Sequence, residues 1–203
     1  DALAYRVAAV RECFEECGLL IARRADGEEA LARTQGADNA SLLAQGAARA
    51  PLLVPDAAQR ERLAGWRLPL HRGERTLAQL CAAEGLRLAL DQLVYFDHWL
   101  TPLGRPKRFD TRFFAVVLPP AAQEPVADET ETVELRWLTP DEALREANAL
   151  KLLPPQRVTL QRLAACRSAA EFIDWARGRD AVPCSMPRMG TDQLLVFVAL
   201  EVR

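Results

Sequence analysis

The stretch VRECFEECGLL, residues 10–20, places three glutamates on a segment that otherwise has the pattern of a helix. A helix brings residues three and four apart onto one face, so Glu12, Glu15 and Glu16 can converge on a single point. Like charges on one face repel each other, which predicts a positive partner. Carboxylate oxygens suit a hard cation, so Mg²⁺ or Mn²⁺ is one candidate for that partner. The alternative is a solvated acidic face with an ordinary Arg–Glu pair.

The residues around these glutamates predict the extent of the helix, its end and a partner for one of the glutamates. The segment ALAYRVAAVRECFEEC, residues 2–17, contains helix formers without a breaker, and Gly18 is a natural stop. Arg11 lies four residues before Glu15, so its guanidinium can hold that carboxylate by forked hydrogen bonds. The glutamates therefore belong to a helix that ends at a defined glycine.

Composition limits the broad class of the protein. The chain has 203 residues, half of them hydrophobic, which is enough for one substantial core. The formal net charge is −2 and no long basic block occurs, so nucleic acid is disfavoured as a partner. No apolar run approaches the roughly 20 residues of a membrane span, and no leader pattern precedes a cleavage site. We therefore expect a cytoplasmic protein without a membrane partner.

The five cysteines are an odd number without paired metal-ligand spacing, so we expect reduced thiols. Cys13 and Cys17 are four residues apart, which raises the question of zinc. Both fall within the apolar stripe of the helix, where free cysteine packs as a small hydrophobic residue, and we favour core packing.

After the first helix, the chain changes its pattern twice. LLIAR, residues 19–23, predicts a short buried strand, and residues 26 to about 55 are rich in Ala, Gly, Asp and Gln. Helical periodicity follows over residues 57–63 and again over residues 76–90, so residues from about 23 to 90 are predicted to form a helical insert. Beyond the insert, three β-like runs predict strands over residues 93–102, 108–119 and 132–140; the first alternates and is aromatic-rich, and each is ended by proline.

The last part of the chain predicts helices and a closing strand. Thr139 with Pro140 and Glu142 has the form of a capping-box helix start. Further helices are predicted over residues 154–166 and 168–179, and QLLVFVALEV, residues 193–202, is predicted to close the chain as a strand. We expect the four tryptophans to be core or lobe-packing residues; they are Trp66, Trp99, Trp137 and Trp175.

The motif RECFEECGL, residues 11–19, resembles the R-E-U-x-E-E-x-G-U core of the Nudix hydrolase signature, in which U is a bulky apolar residue. The order of the later segments resembles the coenzyme A diphosphatase branch of that superfamily; these segments are HWLTP, RFDTRFFAVVLP, ELRWLTPDEAL and LPPQRVTLQRL. The resemblance covers most of the chain. It implies an α+β fold, the α/β/α Nudix sandwich, with a mixed sheet flanked by helices and a helical insert after the Nudix helix.

One departure from the signature concerns its upstream half. Uninterrupted spacing would put a further glutamate where Leu3 stands and a glycine before residue 1. In this branch an insertion can separate the two halves. We therefore expect residues 1–203 to form a single Nudix domain that lacks its N-terminal strands, with a helical insert that acts as a lid.

The resemblance also implies site residues. Glu12, Glu15 and Glu16 would bind Mg²⁺ or Mn²⁺, and Arg11 would orient one of these ligands. A later carboxylate, Glu131, would accept the proton from water as an alternative to one of these glutamates. The other candidates for that role are Glu129 and Glu134, and a solvated acidic loop is the alternative interpretation.

A polar strand face supplies the candidate substrate-binding residues. Arg108, Asp110 and Arg112 share a parity within residues 108–112, so they face the same way. Arg108 and Arg112 could receive phosphates, or the face could be an internal salt-bridge ladder. His98 could contact substrate, or it could be a packed or hydrogen-bonded histidine. Arg157 is expected to lie near a helix start, with a phosphate role as the lesser interpretation.

The implied function is metal-dependent hydrolysis of the diphosphate of coenzyme A or acyl-CoA to 3′,5′-ADP and (acyl-)4′-phosphopantetheine. One alternative is another capped diphosphate, such as a nucleotide sugar, NADH, ADP-ribose or an RNA cap. Another is a non-catalytic nucleotide-sensing module; the presence of all three box glutamates favours catalysis. The partner is a small nucleoside diphosphate derivative, and the sequence leaves open whether the chain forms a homodimer.

Overall fold

The computed structural model of the chain describes residues 2–25, 51–119, 125–128, 132 and 134–187. Its helices are α1 (Ala2–Cys17), α2 (Ala57–His71), α3 (Leu77–Glu84), α4 (Pro140–Arg145), α5 (Pro154–Ala164) and α6 (Ala169–Arg177). Its strands are β1 (Ala22–Arg24), β2 (Leu86–Leu88), β3 (Val94–Leu100), β4 (Asp110–Ala115) and β5 (Cys184–Ser185). Helices together with antiparallel and parallel strand pairs agree with the predicted α+β class.

The chain divides into two compact units. One, which we call the insert unit, comprises Val10–Leu90 and Leu118–Leu135. The other, the sheet unit, comprises Asp1–Ala9, Asp91–Val117 and Arg136–Arg203. The first half of α1 belongs to the sheet unit and its second half to the insert unit.

Helix α1 ends where the sequence predicts. Gly18 adopts φ 73°, a left-handed conformation that favours glycine, and its N–H donates to the Phe14 carbonyl at 2.9 Å. Val10 and Phe14 are buried one turn apart on the face that packs into the insert unit, and Glu15 is buried with them. The apolar stripe therefore brings Glu15 into a packed environment, whereas Glu12 and Glu16 are half-buried.

The insert unit combines a two-stranded sheet with α2 and α3. Strand β1 pairs antiparallel with β2, in the register Ala22↔Leu88 and Arg24↔Leu86. The start of α2 is capped by Asp56, whose side chain accepts from the N–H of Gln59. The core of the unit is aliphatic apart from Phe14; its other buried members include Leu20, Ile21, Leu53, Leu63, Leu70, Leu80 and Leu86.

The predicted helix over residues 76–90 was wrong beyond Glu84. Helix α3 starts with a capping box at Thr76 and stops at Gly85, whose φ of 63° breaks the α-helical path. The residues that follow pair with β1 as strand β2 instead. A strand partner for β1 therefore replaces the last turn of the predicted helix.

The sheet unit contains strands in the order β4-β3-β5. Strands β3 and β4 are antiparallel with an irregularity between Tyr95 and Asp97, and β5 runs parallel to β3. Helix α6 packs on β3, where the rings of Phe96 and Phe172 meet edge to face at 5.1 Å. The core cluster comprises Val94, Phe96, Trp99, Phe113, Phe172, Ile173 and Ala176.

Two further predictions about this part of the chain were wrong. Residues 134–138 adopt no strand although their pattern alternates, and Trp137 is 68% exposed rather than packed in a core. The predicted helix start was confirmed, because Thr139 and Glu142 form a reciprocal capping box at α4. The predicted closing strand, residues 193–202, lies outside the described residues.

Among the helices in the described ranges, none is long and apolar enough to cross a lipid bilayer.

Candidate functional site

The acidic cluster is built on the second half of α1, and its positive partner in the structure is Arg11. Nη1 of Arg11 donates to Oε2 of Glu15 at 2.8 Å, and Nη2 of the same guanidinium pairs with Glu12. One arginine therefore bridges two of the three glutamates, as the four-residue spacing predicted for Glu15. The Glu15 side chain is only 4% exposed, whereas that of Arg11 is 41% exposed.

The second carboxylate oxygen of Glu15 is the unusual atom of this cluster. Within the described part of the chain, Oε1 of Glu15 is buried without a hydrogen-bond partner. A buried carboxylate oxygen without a partner is costly, by about 1–3 kcal/mol or more for a charged group. Such an atom fits a divalent cation, because a hard cation prefers carboxylate oxygen.

Across residues 2–25, 51–119, 125–128, 132 and 134–187, no three His, Cys, Asp or Glu side chains are arranged as a group that could hold a metal ion. Glu12 is turned to Arg11, and Glu16 is half-buried on the next turn. The donor chemistry and the buried oxygen of Glu15 fit a hard cation, and the three-glutamate ligand set stays a prediction.

The two cysteines of α1 form a pair of thiols. Their sulfurs lie 3.6 Å apart, and Sγ of Cys17 lies 2.8 Å from the Cys13 carbonyl oxygen. The hydrogen bond between the thiols lowers the pKa of Cys17 to about 7, and the same bond together with burial raises the pKa of Cys13. All five cysteines of the chain are free thiols, as predicted.

A residue of the insert contacts the backbone of this helix and was missed by sequence reasoning. Arg67 on α2 donates from Nη2 and Nε to the carbonyl oxygen of Glu15, at 2.9 and 3.2 Å. The two residues are 52 positions apart, and nothing in the local pattern of residues 57–71 distinguishes Arg67 from its neighbouring arginines. The end of this helix also accepts a second long-range hydrogen bond, from the N–H of Val126 to the carbonyl oxygen of Cys17 at 3.0 Å.

The predicted substrate-binding residues lie in the sheet unit, where two of them, His98 and Arg112, share Asp110 as a partner. Asp110 pairs with Nε2 of His98 at 2.5 Å and with Nη1 of Arg112 at 3.0 Å. The guanidinium of Arg112 also stacks on the ring of Tyr5, 3.7 Å from its centroid. Arg108 donates from Nε to the Thr101 carbonyl at 3.0 Å. Asp110 therefore joins His98 and Arg112, whereas Arg108 bonds to the Thr101 backbone, and contact of these residues with substrate stays a prediction.

Two other polar residues have structural roles. Asp97 is buried and pairs with Arg162, and its Oδ1 accepts from the N–H of His98 at 3.1 Å. Arg157 is held near the start of α5 by the Asn148 side chain at 2.9 Å. Both interactions join residues of the sheet unit, and the first of them is buried.

The candidates for a later carboxylate base are only partly described. Glu131 and Glu129 lie outside the described residues, and Glu134 is exposed. The assignment of Glu131 therefore stays a prediction.

Comparison with known proteins places the chain in a family. The NUDT19 Nudix domain family matches residues 1–163. The chain is 32% identical over 183 residues to the human acyl-coenzyme A diphosphatase NUDT19, covering 87% of this chain and 43% of that protein. It is also 32% identical over 164 residues to the putative nudix hydrolase 7 of Caenorhabditis elegans, covering 79% of this chain and 44% of that one. The chain thus spans less than half the length of these curated relatives.

A solved structure supports the fold. The NUDIX hydrolase from Alicyclobacillus acidocaldarius matches with a TM-score of 0.57 at 24% identity, covering 81% of this chain and 63% of that one. This likeness confirms the predicted α+β Nudix fold, and the family match confirms the resemblance of residues 11–19 to the Nudix signature. The chain belongs to the NUDT19 Nudix domain family.

Proposed function

We propose that this chain is a divalent-metal-dependent Nudix hydrolase that cleaves the diphosphate of coenzyme A or acyl-CoA. The products would be 3′,5′-ADP and (acyl-)4′-phosphopantetheine. The observation that carries the proposal is Glu15, a buried carboxylate in the signature motif with one oxygen paired to Arg11 and the other without a hydrogen-bond partner in the described residues. The substrate class rests on relatives named acyl-coenzyme A diphosphatases.

The chemistry requires a site for clustered negative charge. A bound Mg²⁺ or Mn²⁺ supplies charge neutralisation at the diphosphate and activation of water. Glu12, Glu15 and Glu16 would hold the cation, and Arg11 would keep the Glu15 carboxylate in one orientation. Glu131 would accept the proton of the attacking water, although one of the three glutamates could do so instead.

The polar face of the sheet unit would bind substrate phosphates. Arg112 and Arg108 carry permanent positive charge, and Arg112 is held in place by Asp110 and Tyr5. His98 would add a hydrogen-bond donor. The bond from Asp110 supports this role, because it already orders the Arg112 guanidinium, which then loses little conformational freedom when a phosphate binds.

The experiment is a substrate panel combined with one isosteric substitution. Purified protein with Mg²⁺ or Mn²⁺ is assayed on coenzyme A, an acyl-CoA, NADH, ADP-ribose, a nucleotide sugar and a capped RNA. We expect the coenzyme A substrates to give the highest kcat/KM. Equal or faster turnover of another compound would contradict coenzyme A as the substrate class. No turnover of any compound would favour a nucleotide-sensing module.

Glu15→Gln tests the site itself. The substitution keeps the size of the side chain and removes its charge, so kcat should fall by about 100-fold or more while the fold is retained. Glu61→Gln, on the exposed face of α2, is the matched control and should leave the rate unchanged. A Glu15→Gln protein with the wild-type rate would contradict the assignment of this residue.

The cytoplasmic location, the single-domain organisation, the lid role of the insert and a homodimer stay predictions. Light scattering of the purified chain would test the last of these.

A further inference from the structure

Arg67 connects the insert to the last turn of the Nudix helix through a single backbone atom. Its Nη2 and Nε both donate to the carbonyl oxygen of Glu15, at 2.9 and 3.2 Å. Arg67 is half-buried, and it comes from α2, which the sequence separates from α1 by β1 and the start of the insert. The contact is therefore made by tertiary structure rather than by local helix geometry.

The last turn of any α-helix leaves carbonyl groups without partners inside the helix. In α1 the Phe14 carbonyl accepts from the N–H of Gly18, and the Cys17 carbonyl accepts from the N–H of Val126. The carbonyl of Glu15 accepts instead from a side chain that carries a full positive charge. A cation at a helix C-terminus is also favoured by the helix dipole.

The geometry around this carbonyl suits arginine in particular. The planar guanidinium directs two N–H groups to one oxygen, which a lysine ammonium on a flexible stem does not reproduce. Gly18 lies beneath the same group: a Cβ atom at that position would lie 3.5 Å from Nη1 of Arg67. The glycine that ends α1 thus faces the guanidinium that caps it.

This contact acts on the residues that would bind the cation. The backbone atom that Arg67 holds belongs to Glu15 itself, and Glu16 is the next residue along the same turn. A shift of this turn moves both carboxylates relative to Glu12, which lies one turn earlier. Removing a group that hydrogen-bonds to a metal-binding residue and orients it typically lowers metal affinity or activity by about 10–100-fold.

We propose that Arg67 is a positioning residue that fixes the last turn of α1, and with it the carboxylates of Glu15 and Glu16, for a divalent cation. The inference rests on the proposed function and deepens it, because it assigns to a residue of the insert the positioning of the metal-binding glutamates. The side chain of Arg67 links α2 to the last turn of α1.

The test compares Arg67→Gln and Arg67→Lys with Arg62→Gln, which breaks another arginine contact of α2. Arg62 pairs with Glu84 on α3 at 3.1 Å and makes no bond to α1 in the described structure. Mn²⁺ affinity is measured by electron paramagnetic resonance titration without substrate. Thermal unfolding and separate kcat and KM values for coenzyme A are measured on the same proteins.

We expect Arg67→Gln to weaken Mn²⁺ binding by about 10-fold or more and to lower kcat, with KM changed by less than about twofold. Arg67→Lys should recover only part of the affinity, because it restores the charge and not the fork. Arg62→Gln should keep the wild-type Mn²⁺ affinity even where it lowers the unfolding temperature. Wild-type Mn²⁺ affinity in both Arg67 variants would overturn the proposal.

The two proposals fail differently. If the wild-type protein binds Mn²⁺ but cleaves none of the panel, the catalytic function fails, and a loss of Mn²⁺ affinity in Arg67→Gln still supports the positioning role. If the wild-type protein cleaves coenzyme A and the Arg67 variants bind Mn²⁺ normally, the positioning role alone fails. A wild-type protein that binds no Mn²⁺ overturns both.

Discussion

The Arg11–Glu15 pair allows a quantitative prediction that needs no substrate. In the wild-type protein the Glu15 side chain is 4% exposed, and its Oε2 accepts from Nη1 of Arg11 at 2.8 Å. Arg11→Ala would leave a buried carboxylate without its counter-ion. Two unit charges about 4 Å apart attract by about 4 kcal/mol at an effective dielectric constant of 20.

The net cost is smaller, because Arg11 is 41% exposed and water screens the pair. A hydrogen bond to a charged group contributes about 1.5–3 kcal/mol, so we expect Arg11→Ala to lower the free energy of unfolding by about 2 kcal/mol. If the cost comes from the Glu15 charge, it should largely vanish when that charge is absent. Arg11→Ala made in a Glu15→Gln background should then cost only about 0.5 kcal/mol, which is a coupling energy of about 1.5 kcal/mol.

The assay is urea unfolding of the wild type, both single variants and the double variant, followed by circular dichroism at neutral pH. Arg167→Ala is the matched control, since Arg167 and Glu171 have the same spacing and their pair, at 3.2 Å, is exposed. That control should change stability by no measurable amount. Additive costs in the double-variant cycle, with coupling below about 0.5 kcal/mol, would refute the reasoning that the Glu15 charge is held by Arg11.

Two further predictions concern the ends of helices. Gly18→Ala should lower the free energy of unfolding by about 1–2 kcal/mol in urea unfolding, because φ is 73° there. Gly65→Ala, in the interior of α2 with open space around it, should instead raise stability by about 0.5–1 kcal/mol; equal effects would contradict the backbone argument. Hydrogen bonds from the Thr139 side chain and backbone lower the pKa of Glu142 below the ordinary glutamate value of 4.5. The ionised Glu142 side chain therefore makes its whole contribution to stability above about pH 4.5. This contribution is lost as the pH falls through the lowered pKa that Glu142 has in the folded state. In thermal unfolding between about pH 3 and 7, the difference between wild type and Glu142→Gln should shrink towards acid, and a constant difference would argue against it.

Local patterns predicted what depends on neighbours within one or two turns. The four-residue spacing of Arg11 and Glu15 places both side chains on one face of α1, and the structure pairs them accordingly. The stop at Gly18 and the capping box at Thr139 are equally local, since each depends on hydrogen bonds within about four residues. The parity of Asp110 and Arg112 on one strand also follows from chain geometry alone.

The incorrect predictions involve partners that are distant in the chain. Residues 86–88 have helical periodicity, yet after Gly85 they pair with β1, more than 60 positions earlier in the chain. Residues 134–138 alternate like a strand, yet the structure assigns them to none, which leaves Trp137 exposed. Strand β5 is only two residues long and was not predicted, because its place beside β3 depends on the edge that β3 leaves available.

The sequence by itself determined the composition and register of the acidic helix, because helical and strand periodicities follow from covalent geometry and act over a few residues. Only the tertiary structure decided that Glu15 is buried, that Arg67 donates to its carbonyl and that β2 pairs with β1. The last two contacts arise because the backbone groups left without partners at helix ends and strand edges must find them elsewhere in the folded chain. Which distant residue supplies the partner depends on packing, and no local pattern encodes it.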